Sequence, residues 1–155
     1  IPIIDSLIRD IPENPYFWEL KGQALLEGGA PAKALASLRQ ANKLLPNSGL
    51  IQILYAQALI ATEDRANIKQ ALNLLTLAKK TERDSVDVYK YSALAYGYLN
   101  DLPRAELATA EMAMMQGDTA LASEKAKRVI GQFKHGSPEW MKANDVLNFT
   151  SKERN

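Results

Sequence analysis

The chain has 155 residues, of which 46% are hydrophobic and 24% charged, a balance that suits one ordinary globular domain with a real core. Its formal net charge of +1 argues against nucleic acid as a partner and leaves only a local patch for electrostatic binding. It has no cysteine, hence no disulfide framework and no thiolate zinc site; no signal peptide is visible in these residues, nor an apolar run of the roughly 18 residues a membrane span needs.

Residues 1–12 carry Ile4, Leu7, Ile8 and Ile11 at helical spacing, an apolar stripe of a helix whose partner helix is missing. One side of that stripe should pack on the helix pair next in the chain. The other is expected to fray or to bury itself against another copy. The start at Ile1-Pro2, without Met, suggests a fragment or a processed product.

Asn14-Pro15 then opens a helix with a capping residue followed by a proline at the first helical position. Trp18, Gly22 and Leu25 recur at i, i+4 and i+7, and Gly28-Gly29 stops the helix. Pro31 starts a second helix with Ala34, Leu38 and Ala41 on one face, closed by Pro46. Small residues let two antiparallel helices cross closely, while large ones fill the space beside the crossing. This helix pair resembles a tetratricopeptide repeat. Lys21 departs from that pattern, since the repeat usually has leucine there. Pro12 and Pro46 stand 34 residues apart, the period of the repeat, and on that offset Leu7 corresponds to Ala41.

A second repeat spans about 48–84, with Tyr55, Ala56 and Leu59 in its first helix and Ala71, Leu75 and Ala78 in its second. Ala56 and Ala93 lie 37 residues apart, which places a three-residue insertion in the turn around Glu63 to Asn67. Ser85 caps the third repeat, 85–117, whose faces hold Tyr89, Ala93 and Tyr96, then Pro103 and Ala105. Ala122, Ala126, Val129 and Phe133 follow the Gly117-Asp118 turn. Beyond Gly136, Ser137 caps a final helix carrying Trp140, Ala143 and Leu147. The expected fold is all-α, a right-handed tetratricopeptide-repeat superhelix (an α-α solenoid) of about nine helices. It forms a single domain over 1–149: a half repeat at 1–12, repeats at about 14–47, 48–84 and 85–117, and a degenerate repeat with a capping helix at 118–149. Residues 150–155 form a polar tail.

The stretches YSALAYGYLNDLPRAELATAEMAMMQGD and GSPEW, together with NPYFWELKGQALLE, resemble the C-terminal tails of BepA-like bacterial zinc metallopeptidases. That resemblance implies a parent with an upstream HExxH peptidase domain, working in the periplasm on outer-membrane protein assembly. This chain holds a single histidine, His135, so no zinc site or active-site residue carries over. It should be a non-catalytic scaffold without a cofactor of its own; any zinc would belong to the parent.

His135 lies in a turn and is expected to be exposed. Met112, Met114, Met115 and Met141 suit core filling better than an adaptable binding surface. Asp5, Asp10 and Glu13 are helix-face charges, and no phosphate-loop or nucleophile motif occurs. The functional surface should instead be the concave face lined by first helices. It would comprise Tyr16, Glu19, Gln23 and Glu27, then Ile53, Gln57 and Ile60, then Asp87, Lys90, Leu94 and Tyr98, a mixture suited to a peptide or a partner's helix. Trp18, Gly22, Leu25, Ala34, Leu38, Ala41, Pro46, Ala56, Ala71, Ala93 and Ala105 are packing residues. The expected partner is a protein or peptide, and an upstream peptidase domain of the same polypeptide is one candidate. The rival function is a free-standing adaptor or co-chaperone unrelated to proteolysis.

Overall fold

Wherever a proline or a capping side chain precedes an apolar run, the chain turns into helix. The computed structural model describes residues 1–153, and among them are nine helices and no strand. These are α1 (Pro2–Asp10), α2 (Pro15–Glu27), α3 (Pro31–Leu44), α4 (Gly49–Ala61), α5 (Arg65–Ala78), α6 (Val86–Tyr98), α7 (Leu102–Met115), α8 (Thr119–Ile130) and α9 (Pro138–Glu153). Successive helices pack as antiparallel pairs, α2 on α3, α4 on α5, α6 on α7 and α8 on α9.

Four connections, at residues 28–30, 62–64, 99–101 and 116–118, have three residues each. Their middle residue takes left-handed dihedrals, with φ of 78° at Gly29, 57° at Glu63, 59° at Asn100 and 78° at Gly117. In three of them the next amide reaches back to the preceding helix: Ala30, Asp101 and Asp118 donate to the carbonyls of Leu25, Tyr96 and Ala113, each at 2.9 Å. At three of the four the third residue, an aspartate, then caps the helix that follows. Asp64, Asp101 and Asp118 accept from the amides of Asn67, Arg104 and Leu121. Asn14, Ser48 and Ser137 cap in the same way, whereas Ser85 makes no side-chain cap bond.

The three-residue insertion lies elsewhere than the sequence spacing suggested. The α4–α5 turn is as short as the α2–α3 turn. The α5–α6 connection, residues 79–85, has seven residues against four between α3 and α4. Within this longer connection the fold divides into two compact units, Ile1–Arg83 and the part from Asp84 onward.

In the first unit Ala34, Leu38 and Ala41 of α3, Ile51, Tyr55, Ala56 and Leu59 of α4 and Ala71, Leu75 and Ala78 of α5 are buried. A Cβ on Gly22 would run into the Leu38 side chain, which is why glycine stands at that crossing. Trp18 and Leu25 are half-buried. Trp18 Nε1 donates to the Pro12 carbonyl at 2.7 Å, and Gln52 Nε2 to the Pro46 carbonyl at 2.9 Å. Lys21, the departure from the repeat pattern, bridges to Asp5 of α1 at 2.7 Å, and that ammonium holds the Asp5 carboxyl below its usual range. In α1 it is Ile8 that is buried, while Leu7, and Ile11 just past the helix end, are exposed. The 34-residue offset therefore mispredicts the phase of α1 by one residue.

In the second unit Leu107, Val129 and Ala143 pack with Ile130 and Phe133. Beside them Ala110, Ala113, Ala122, Ala126 and Val146 pack with Met114, Leu121 and Leu147. Phe133 joins this core from the connection, because α8 already stops at Ile130. Val88 and Ala95 are the fully buried positions of α6; Ala93 and Ala105 are only half-buried. The expected polar tail begins inside α9, where Thr150 is 1% exposed; residues 154 and 155 lie outside the described residues. Arg104 ties Asp101 to Glu139 of α9, and Glu106 of α7 holds Lys125 and Arg128 of α8.

Candidate functional site

The first-helix residues fall into two groups. On α2, Tyr16 is 60% exposed and Gln23 donates to Glu27 at 2.9 Å along the exposed face. Glu19, beside them, is partly buried, which pushes its carboxyl up. On α4 only Gln57 of the three expected residues is accessible. Ile53 and Ile60 are 7% and 2% exposed, so neither belongs to a binding surface. The cause is the composition of α4, which is apolar almost all round and buries nine of its thirteen residues. On α6, Asp87, Lys90, Leu94 and Tyr98 form an exposed stripe, with the Lys90 ammonium 5.4 Å from the Tyr91 ring centre. The α2 and α4 residues belong to the first unit and the α6 residues to the second.

The second unit also contains a cleft of about 340 Å³ that the sequence reading missed. Tyr89 of α6, Glu111, Met114 and Met115 of α7, and Lys142, Asp145, Val146 and Phe149 of α9 line it. Its walls are two thioethers, two aromatic rings and a valine; its charges are one ammonium and two carboxylates. Burial, followed by the neighbouring Glu111 carboxylate, pushes the Tyr89 phenol up. Such a pocket suits an apolar side chain presented by a partner, since thioethers adapt their shape and the charges fix orientation. The signal was present in the sequence. Lys142, Asp145, Val146 and Phe149 follow at i, i+3, i+4 and i+7, which places them on one helix face. Met114 serves both roles weighed for the methionines, packing on the core and lining the cleft. Met115 lines the cleft as well, and Met141 is exposed.

His135 is exposed and its ring lies 4.1 Å from that of Trp140. Among the described residues no group of three or more His, Cys, Asp or Glu could hold a metal ion. None of their helices is long and apolar enough to cross a membrane.

Antiparallel helix pairs joined by left-handed three-residue turns, with small residues at the crossing, define the tetratricopeptide-repeat class. The fold is shared with solved structures of that class. MamA aligns with a TM-score of 0.68 at 14% identity, over 97% of this chain and 84% of MamA. TTC0263, a thermophilic TPR protein of Thermus thermophilus, aligns with a TM-score of 0.56 at 16% identity, over 95% and 88% of the two chains. The chain belongs to the family of the cytochrome c-type biogenesis protein H TPR domain, whose model matches residues 6–117. No curated protein matches the chain at significant similarity.

Proposed function

We propose that this chain is a non-catalytic docking module that binds a polypeptide partner during cytochrome c-type biogenesis. The observation that carries the binding mode is the cleft between α6, α7 and α9, with its thioether and aromatic walls and charged edge. A bulky apolar side chain of the partner would enter it, and the stripe Asp87, Lys90, Leu94 and Tyr98 would extend the contact along α6. The family to which the chain belongs supports the biological setting. On this reading the chain needs no cofactor and works in the periplasm, where its partner would be a cytochrome polypeptide before haem attachment.

The test is calorimetric titration of the protein with a haem-free c-type cytochrome and, separately, with the haem-loaded form. Micromolar binding of the haem-free form, weakened about tenfold or more by Met115→Glu with Phe149→Glu, is the expected result. Binding that the double substitution leaves unchanged would remove the cleft from the reading, and no binding at all would remove the cytochrome. The BepA-like parent, with a zinc peptidase domain upstream and a role in outer-membrane protein assembly, rests on the resemblance of residues 14–27, 91–118 and 136–140. An HExxH helix encoded ahead of Ile1 would favour it. A free-standing adaptor would show further repeats there instead.

A further inference from the structure

Charge is distributed unevenly among the helices. Within α3 and α5 there is no Asp or Glu at all, yet α3 carries Lys33, Arg39 and Lys43, and α5 carries Arg65 and Lys69, with Lys80 just beyond its end. Every other helix that bears charge has both signs. All six cationic side chains are exposed. None forms an ion pair within the described residues, in contrast to Lys21, Arg104, Lys125 and Arg128. In a chain of net charge +1 this is a local surplus that overall neutrality conceals.

One side chain of α4, the helix between them in sequence, reaches both helices. The Tyr55 hydroxyl accepts from Arg39 Nε of α3 at 3.4 Å and from Gln70 Nε2 of α5 at 3.3 Å. One hydroxyl on the buried Tyr55 thus joins the exposed faces of both helices. It also fixes Arg39 through Nε, which leaves both terminal guanidinium nitrogens free for a planar, two-oxygen acceptor. Between the cations the surface carries small or neutral residues, Ala32, Ala36, Ala66 and Asn73, all exposed. Carboxylates on a partner can reach the ammonium groups without meeting bulk.

We infer that the exposed face of α3 and α5 in the first unit binds an acidic polypeptide segment, with Arg39 gripping one carboxylate and Lys43 and Lys69 its neighbours. Charge complementarity names the occupant. An anionic membrane fits less well, because Leu77 is the one large apolar side chain of these helices that is exposed and no aromatic side chain stands among the cations to enter a bilayer. Nucleic acid also fits less well, because this face offers no aromatic platform for bases. The surface is separate from the cleft of the second unit, so acidic-segment binding here does not depend on the cytochrome.

The experiment uses the full chain and a fluorescein-labelled peptide of glutamates separated by Gly-Ser, read by fluorescence anisotropy. A Gly-Ser peptide of equal length, phosphatidylserine vesicles and a DNA duplex serve as comparison ligands. The glutamate peptide should bind, and raising the salt from about 50 to about 300 mM should weaken it several-fold. Arg39→Glu with Lys43→Glu and Lys69→Glu should weaken binding about tenfold or more. The matched triple reversal Lys127→Glu, Lys134→Glu and Lys152→Glu, in the second unit, should change it less than about twofold. Should the first triple variant fail to fold, Lys43→Gln with Lys69→Gln gives the same comparison without breaking the bond between Arg39 and Tyr55. Equal loss in both reversals would reduce the effect to net charge and overturn the site. So would equal affinity for the uncharged peptide, or preference for vesicles or DNA over the glutamate peptide.

Discussion

At position 22 any side chain would enter space that Leu38 already fills. Gly22→Leu should therefore cost about 1–3 kcal/mol or more through overpacking. Gln23→Ala, one residue on and exposed, should cost less than about 0.5 kcal/mol, since it removes only a surface bond to Glu27. Urea titrations of the two variants compare them directly; a larger loss for Gln23→Ala would contradict the packing described. Glu19 makes a second case. Burial lifts its carboxyl above the ordinary value of 4.5, so the folded state holds this proton more tightly than the unfolded state. Stability then falls as pH rises through that raised value, and the loss is complete at neutral pH. Glu19→Gln should raise the melting temperature at pH 7, with the gain shrinking at about pH 3. An equal gain at both pH values would point to a cause other than ionisation. Gly22 could be read from spacing alone, because it stands opposite Leu38 in a helix pair formed by neighbouring segments. Gly49 could not. Its Cβ would meet Thr81 and Glu82, which belong to the longer α5–α6 connection that no local pattern announces.

The turns are the most uniform feature among the elements. Each needs a left-handed middle residue and offers its third residue as a cap, and Asp fills that third place at 64, 101 and 118. Ala30 occupies the equivalent place before α3 and caps nothing. The Lys33 amide donates to the Ala30 carbonyl at 3.1 Å; Ala30→Asp should add a side-chain acceptor for it and stabilise the fold by about 0.5–1 kcal/mol, measurable by thermal unfolding. A neutral or negative change would mean that the Pro31 entry excludes the cap geometry. Helix existence was legible in the sequence because caps, prolines and glycines act locally. Helix phase was less so. α4 is apolar nearly all round, so periodicity could not tell that Ile53 and Ile60 face inward, nor that Gln52 is buried to serve the Pro46 carbonyl. The cleft escaped notice for another reason: three helices must meet before Met115 and Phe149 share a surface.

Within each unit, helices touch mainly their neighbours in sequence, an arrangement that favours rapid folding and keeps damage local. The division into units at Arg83 and Asp84 falls in the seven-residue connection between α5 and α6. Trypsin should therefore cut first among Lys79, Lys80 and Arg83. The segment 84–155 produced alone should give a helical circular dichroism spectrum and a cooperative melt. A disordered spectrum would show that the second unit depends on the first, and would tie the cleft to the whole chain. If both units fold independently, a single unfolding free energy does not describe the protein.

Each unit holds one of the two tryptophans. Trp18 donates to Pro12 in the first and Trp140 lies against His135 in the second. The chain's ultraviolet emission is thus the sum of two reporters in different surroundings, one per unit. Replacing either indole by phenylalanine leaves a single-colour probe of the other unit. An acidic peptide on α3 and α5 can then be followed in the variant that keeps Trp18, and a partner in the cleft in the variant that keeps Trp140, without a label on the protein.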